Sequence, residues 1–216
     1  MTDPQAPYVI TIGRSFGSGG RALGSILARK LGIEYYDKEL LLQAAAKAGM
    51  SPEYFEKNDE RMPGFLSAFY PFSSGMSPLT WYTGPTAISA DGIYRSQCDF
   101  IRELAASRPC IIVGRSADYV LRDHPNTVNV FVHAPVEDCV RRILERGECV
   151  TPEDARAMVE KTNKLRANYY NFYTDKRWGH AASYDLTFDS SRLPLETIAD
   201  LIIAYLRARF NDPARS

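Results

Sequence analysis

Residues 13–21 read GRSFGSGGR and follow the apolar run YVITI at 8–12. Four glycines among nine residues leave little side-chain bulk, so the main-chain N–H groups of Ser15, Phe16, Gly17, Ser18, Gly19, Gly20 and Arg21 can approach an anion closely. A helix starting after the loop turns its positive end to the same spot. Glycine-rich turn and helix start together suit a phosphate group.

The common phosphate-loop pattern GxxxxGK[ST] is not met, however. Counted from Gly19, Gly20 takes the lysine position and Arg14 the position of the first glycine. Arg14 and Arg21 are the cations available within the loop, and either brings a planar fork of donors where a lysine brings a point charge. Plain solvent exposure is the alternative for both.

Other residues could share this chemistry. Asp37 in YYDKELL either caps a helix or accepts hydrogen bonds from an amino group or sugar hydroxyl, or holds water around magnesium. Gly114-Arg115 follows the apolar run 109–113, where a guanidinium could grip phosphate or carboxylate. A salt bridge from Arg115 to Asp118 is the alternative. Arg95 and Arg102 lie seven residues apart on one helical face, solvated or turned inwards. The stretch 161–177 holds Lys161, Lys164, Arg166, Lys176 and Arg177 against the single acid Asp175, interleaved with Tyr169, Tyr170, Phe172 and Tyr173. Phosphoryl transfer uses such charge, and a surface helix with its tyrosines packed inwards is the alternative. His124, His133 and His180 have no metal or triad spacing and are read as structural.

The elements that must position these residues alternate. Leu23, Ile26, Leu27 and Leu31 recur at helical spacing after the loop and Gly32 stops them. A short strand is expected at 33–37, helices at 38–48 and 88–107, a strand at 109–114, a strand at 127–133 and a helix at 136–146. Thr151-Pro152 with acids behind it starts a long helix towards Tyr173, followed by a strand at 184–189 and a helix at 193–210. Such alternation implies a parallel sheet covered on both faces, with ligands at the carboxyl ends of the strands. Residues 62–85 stand apart, with Phe65, Phe69, Tyr70, Phe72, Trp81 and Tyr82 among four prolines and three glycines. This irregular stretch suits a substrate-side insert, a lid or a homodimer contact.

Composition excludes several classes. The 216 residues, 45% hydrophobic, suffice for one core, and Lys plus Arg equal Asp plus Glu at 26 each, which disfavours bulk binding of nucleic acid or anionic membrane. Cys98, Cys110, Cys139 and Cys149 show no metal-ligand spacing and are read as reduced. With no signal-like start and no apolar run of spanning length, the chain reads as cytoplasmic.

Taken in order, ITIGRSFGSGGR, LGIEYYDKELL, IIVGRSADYVL, EKTNKLRANYYNFYTDKRWG and YDLTFDSSRL resemble the cytidylate kinase-like family of P-loop nucleoside monophosphate kinases. The resemblance implies one three-layer α/β domain over 1–216 with a parallel five-stranded sheet flanked by helices. It also implies an acceptor-side insert at about 50–86, a lid-like basic region at about 141–177, and transfer of the terminal phosphoryl of ATP to a nucleoside monophosphate, CMP first, with Mg2+. Ser15, Gly17, Ser18, Gly19, Gly20 and Arg21 then match the ATP phosphate loop. Asp37, Arg95 and Arg115 match the acceptor side. Arg142 and Arg146 match the lid, with Lys161, Lys164 and Arg166 in the helix behind it. Cytidylate kinases carry the loop lysine that Gly20 replaces, so Arg14, Arg21 or a lid cation must supply its charge. A binding or sensing protein without transfer chemistry, or a kinase of another small metabolite, are the competing readings.

Overall fold

The structure is a computed structural model that describes residues 7–37 and 90–210. The expected helix at 38–48 and the insert at 50–86, with its aromatic stretch, lie outside the described residues.

Five strands form one sheet: β1 Val9–Arg14, β2 Glu34–Tyr36, β3 Cys110–Val113, β4 Thr127–His133 and β5 Leu186–Asp189. All pairs are parallel and the order is β2-β3-β1-β4-β5, with Ile12 opposite Val113 and Arg14 opposite Val132. The described helices are α1 Gly20–Leu31, α2 Ala90–Ser107, a short α3 Ala117–Val120, α4 Val136–Glu145, α5 Pro152–Tyr173 and α6 Leu195–Phe210. Sequence periodicity does not signal α3, which is a single turn following the left-handed residues 114–116.

Alternation along the strands divides the core between two faces. Ile10, Ile12, Ile111, Val113, Val128, Val130 and Val132 pack with Leu23 and Leu27 of α1 and Ile198 and Ile202 of α6. On the other face Val9, Cys110 and Ile112 meet Ile101, Leu104 and Ala105 of α2 and Ala117 and Val120 of α3. Each fully buried leucine or isoleucine contributes about 1.5–3 kcal/mol by leaving water. The helices after the neighbouring strands β1 and β3 therefore lie on opposite faces of the sheet. A crevice opens between the carboxyl ends of those two strands.

A third cluster, Cys139, Val140, Ile143, Ala155 and Val159, joins α4 to α5 with Phe16 packed against it. The cap read at Thr151 is present: its Oγ1 accepts from the Asp154 N–H at 3.1 Å. All four cysteines are free thiols. Among the described residues no helix is long and apolar enough to cross a membrane.

Candidate active site

The glycine-rich turn follows β1 directly and is held by its own polar groups. The Ser15 N–H donates to the Val132 carbonyl at 2.9 Å, and the Ser18 hydroxyl, fully buried, lies 2.9 Å from the Ser15 carbonyl and 3.0 Å from that of Val132. Gly17 and Gly19 take the left-handed conformation at φ 80° and 85°. A Cβ at 17 would sit 2.7 Å from Cys139 Cβ and one at 19 would sit 3.1 Å from Leu195, so α4 and α6 press on the turn from behind. The N–H groups of Gly17, Gly19 and Gly20 donate to no main-chain carbonyl among the described residues. They stand at the start of α1, where an anion is favoured.

Arginines gather around this turn. Burial and the nearby charges of Arg166, Arg115 and Arg21 push the Arg14 pKa down to about 9, which leaves the guanidinium charged at neutral pH. Arg166 Nη1 donates to the Arg14 carbonyl at 3.1 Å, and its guanidinium carbon lies 5.4 Å from the centre of the Phe16 ring. Arg21 Nε pairs with Asp37 Oδ2 at 3.1 Å, with the arginine side chain 65% exposed and the aspartate 8%. An ion pair thus joins the glycine loop to the end of β2.

The turn after β3 carries backbone strain. Gly114, Arg115 and Ser116 are consecutive left-handed residues at φ 81°, 60° and 50°, and the latter two are the non-glycine residues with positive φ among those described. Such conformations cost of order 1–3 kcal/mol each and persist where the surroundings enforce them. Gly114 donates to the Ile12 carbonyl at 3.0 Å, which ties this turn to β1. Asp118 is buried and accepts from the Tyr170 hydroxyl at 2.5 Å. Burial pushes the Asp118 carboxyl pKa up, against the pull of that hydroxyl and of Lys176. Of the interleaved aromatics of the basic stretch Tyr170 is buried and Tyr173 stacks on Tyr94 of α2 at 4.1 Å between ring centres, whereas Phe172 is exposed.

The remaining expected site residues separate. Arg142 turns to the back of the glycine loop: Nη1 donates to Ser190 Oγ at 3.0 Å and Nη2 to the Ser190 carbonyl at 2.7 Å, with the Gly17 carbonyl 3.5 Å away. Arg146 pairs with Glu148 at 2.6 Å on the surface. Arg95 and Lys164 are exposed on α2 and α5, and Lys161 is half-buried on α5. Arg102 is exposed and pairs with Asp99 at 2.9 Å.

Two residues join the loop that sequence reasoning missed. Asn163 Oδ1 accepts the Phe16 N–H at 2.7 Å, from the helical turn between Lys161 and Lys164. Ser190 is buried just beyond β5 and donates to the Ser18 carbonyl at 2.6 Å. Its position directly after a strand, on the ligand rim of a parallel sheet, was the available signal. Among the described residues no group of three or more His, Cys, Asp and Glu side chains is placed to hold a metal ion.

A parallel sheet of this order, with a glycine loop between β1 and α1, is a P-loop kinase fold. A gluconokinase from Sinorhizobium meliloti 1021 shares it at a TM-score of 0.53 and 18% identity, over 96% of each chain. A protein from Eubacterium ventriosum ATCC 27560 has a TM-score of 0.68 and 27% identity, over 92% of this chain and 98% of that one. The chain belongs to the cytidylate kinase-like family, which it matches over residues 9–192. It is also 31% identical over 96 residues to the cytidylate kinase of Methanosarcina barkeri (strain Fusaro / DSM 804), a match covering 43% of this chain and about half, 51%, of that relative.

Proposed function

We propose that this kinase-like phosphotransferase moves the terminal phosphoryl of ATP to a nucleoside monophosphate, with CMP the first candidate. The observation that carries the reading is the convergence, at the crevice between β1 and β3, of main-chain amides at the start of α1 with the Arg14, Arg115 and Arg166 charges. Phosphoryl transfer asks for little covalent help from the protein. It needs the reacting groups held in line and the spread negative charge matched.

In this reading the amides of residues 15–21 hold the triphosphate, and Arg115 grips the acceptor's phosphate from the strained turn after β3. Asp37 meets the acceptor's amino or hydroxyl groups. Arg95 adds charge on the acceptor side, and Lys164 and Arg166 do so from α5. Arg142 holds the loop from behind, and Arg146 lies at the connection between α4 and α5. Magnesium enters as part of MgATP. An acceptor phosphate oxygen attacks the γ-phosphorus while the bond from that phosphorus to the β–γ bridging oxygen breaks, and ADP leaves.

The likeness to the Methanosarcina cytidylate kinase favours CMP within the class. A coupled ADP-release assay across a panel of monophosphates tests it. Turnover highest with CMP is expected, and no turnover with any monophosphate at high enzyme concentration would remove the kinase reading.

A further inference from the structure

We infer that Arg14 is the cation of the phosphate loop, and that Gly20 and Gly114 are the space its side chain needs. The charge is then delivered from the last residue of a strand and not from the first turn of the helix. The inference deepens the kinase reading and rests on it only for the identity of the anion.

Three distances carry the argument. A Cβ at position 20 would lie 2.6 Å from Arg14 Cβ and 2.9 Å from Arg14 Cγ, so the stem of Arg14 fills the room where a residue-20 side chain would begin. Both are ordinary carbon atoms near the backbone, which cannot swing away cheaply. A Cβ at position 114 would lie 2.1 Å from Arg14 Nη1, so the guanidinium rests on Gly114, in the turn that also carries Arg115. Arg14 therefore runs from the end of β1 across the start of α1 to the turn after β3. It spans the crevice between the loop and the acceptor side.

Two neighbouring arginines are committed elsewhere. Arg21 is largely exposed and paired with Asp37. Arg166 binds the Arg14 main chain and covers Phe16, fastening the loop from α5. Burial and like-charged neighbours disfavour the Arg14 charge, and a polyphosphate would relieve that crowding. A planar fork in this place can contact two oxygens, where the ammonium of a lysine contacts one region as a point. Glycine at 20 and arginine at 14 are thus reciprocal: a lysine at 20 cannot share the site with Arg14.

Five proteins test this: wild type, Arg14→Ala, Arg14→Gly, Gly20→Lys and the double variant Arg14→Gly/Gly20→Lys, in which glycine at 14 removes the Cβ that alanine would keep 2.6 Å from a residue-20 Cβ. Each is measured for thermal stability without ligand and for calorimetric affinity towards a non-hydrolysable ATP analogue. Arg14→Ala should weaken the analogue at least tenfold. Gly20→Lys should lower the melting temperature much more in the wild-type background than in Arg14→Gly, and the double variant should bind the analogue at least fivefold more tightly than Arg14→Gly. Gly114→Ala should reproduce the Arg14→Ala loss and add nothing to it, and Arg14→Lys provides a folded charged control should the alanine variant fail to fold.

Analogue binding by Arg14→Ala within twofold of wild type would overturn the inference. So would equal cost of Gly20→Lys with and without Arg14, or wild type that binds no triphosphate at all. If the affinities follow the pattern while no monophosphate is turned over, the inference stands and the kinase reading falls. If wild type turns over CMP while Arg14→Ala does so equally well, the reverse holds.

Discussion

Ser190 donates its hydroxyl to the carbonyl of Ser18 at 2.6 Å, so the end of the last strand closes on the middle of the glycine loop. The Ser190 N–H reaches the His133 carbonyl at 2.8 Å, and Arg142 grips both the hydroxyl and the carbonyl of the same serine. Two strand ends and α4 thereby set the height of the loop without touching its front. Rigid support of this kind matters where a misplacement of about 1 Å can cost a hundredfold in rate.

Ser190→Ala should therefore destabilise the fold by about 1–2 kcal/mol, because a buried carbonyl and a guanidinium lose a partner. It should also raise the KM for ATP more than the KM for the acceptor. Arg142→Met should do the same, and the double variant should cost less than the sum, since one network is removed twice. Denaturant unfolding and steady-state kinetics of the three variants check this, and strict additivity would count against a shared brace.

Asn163 offers a test that separates charge from shape. Asn163→Asp keeps an acceptor for the Phe16 N–H and adds a negative charge beside the loop. Its melting temperature should stay near wild type while ATP affinity falls about tenfold through charge repulsion. Asn163→Leu should lose stability as well, by about 1–3 kcal/mol for an unsatisfied amide. A variant pair that behaves identically in both measurements would show that Asn163 only fills space.

Tyr170 and Asp118 predict a pH dependence. Burial raises the Asp118 pKa above its ordinary value of 3.8. The folded chain then holds that proton more tightly than the unfolded one, so the contribution of Asp118 is most favourable below pH 3.8 and declines as pH rises through the folded pKa. Tyr170→Phe removes the hydroxyl that favours the ionised form and raises the pKa further. Its cost, about 1–3 kcal/mol near neutral pH, should shrink as pH falls towards the ordinary carboxylate range. Urea unfolding of both proteins across that range checks it, and a pH-independent cost would deny the link.

Arg115→Ala should weaken acceptor binding by about 1.5–3 kcal/mol, the scale of a charged hydrogen bond, with little change in ATP affinity. Titration of CMP against the variant saturated with an ATP analogue measures it. Equal weakening of both ligands would place Arg115 on the triphosphate instead.

Apolar runs and glycine placement were enough to read strands at 8–12, 109–114 and 127–133, close to the observed ones, with their parallel two-faced burial, the loop and the helix cap at Thr151. Those features are local, written in the period of side chains along a strand or helix and in the steric freedom of glycine. The parallel sheet followed from alternation with helices and a family likeness, whereas the order of its strands came only from the structure. Which side chains meet did not follow either. Arg14 with Gly20 and Gly114, Ser18 with Ser190, and Phe16 with Asn163 are pairs far apart along the chain or hidden within one turn, and the same residue types would read identically on a solvated surface. Arg142, which the family resemblance matched to the lid, faces the back of the loop, because the packing of α4 against Gly17 through Cys139 points it there. Direction of a side chain is a property of how the layers stack, and only the assembled sheet and helices settled it.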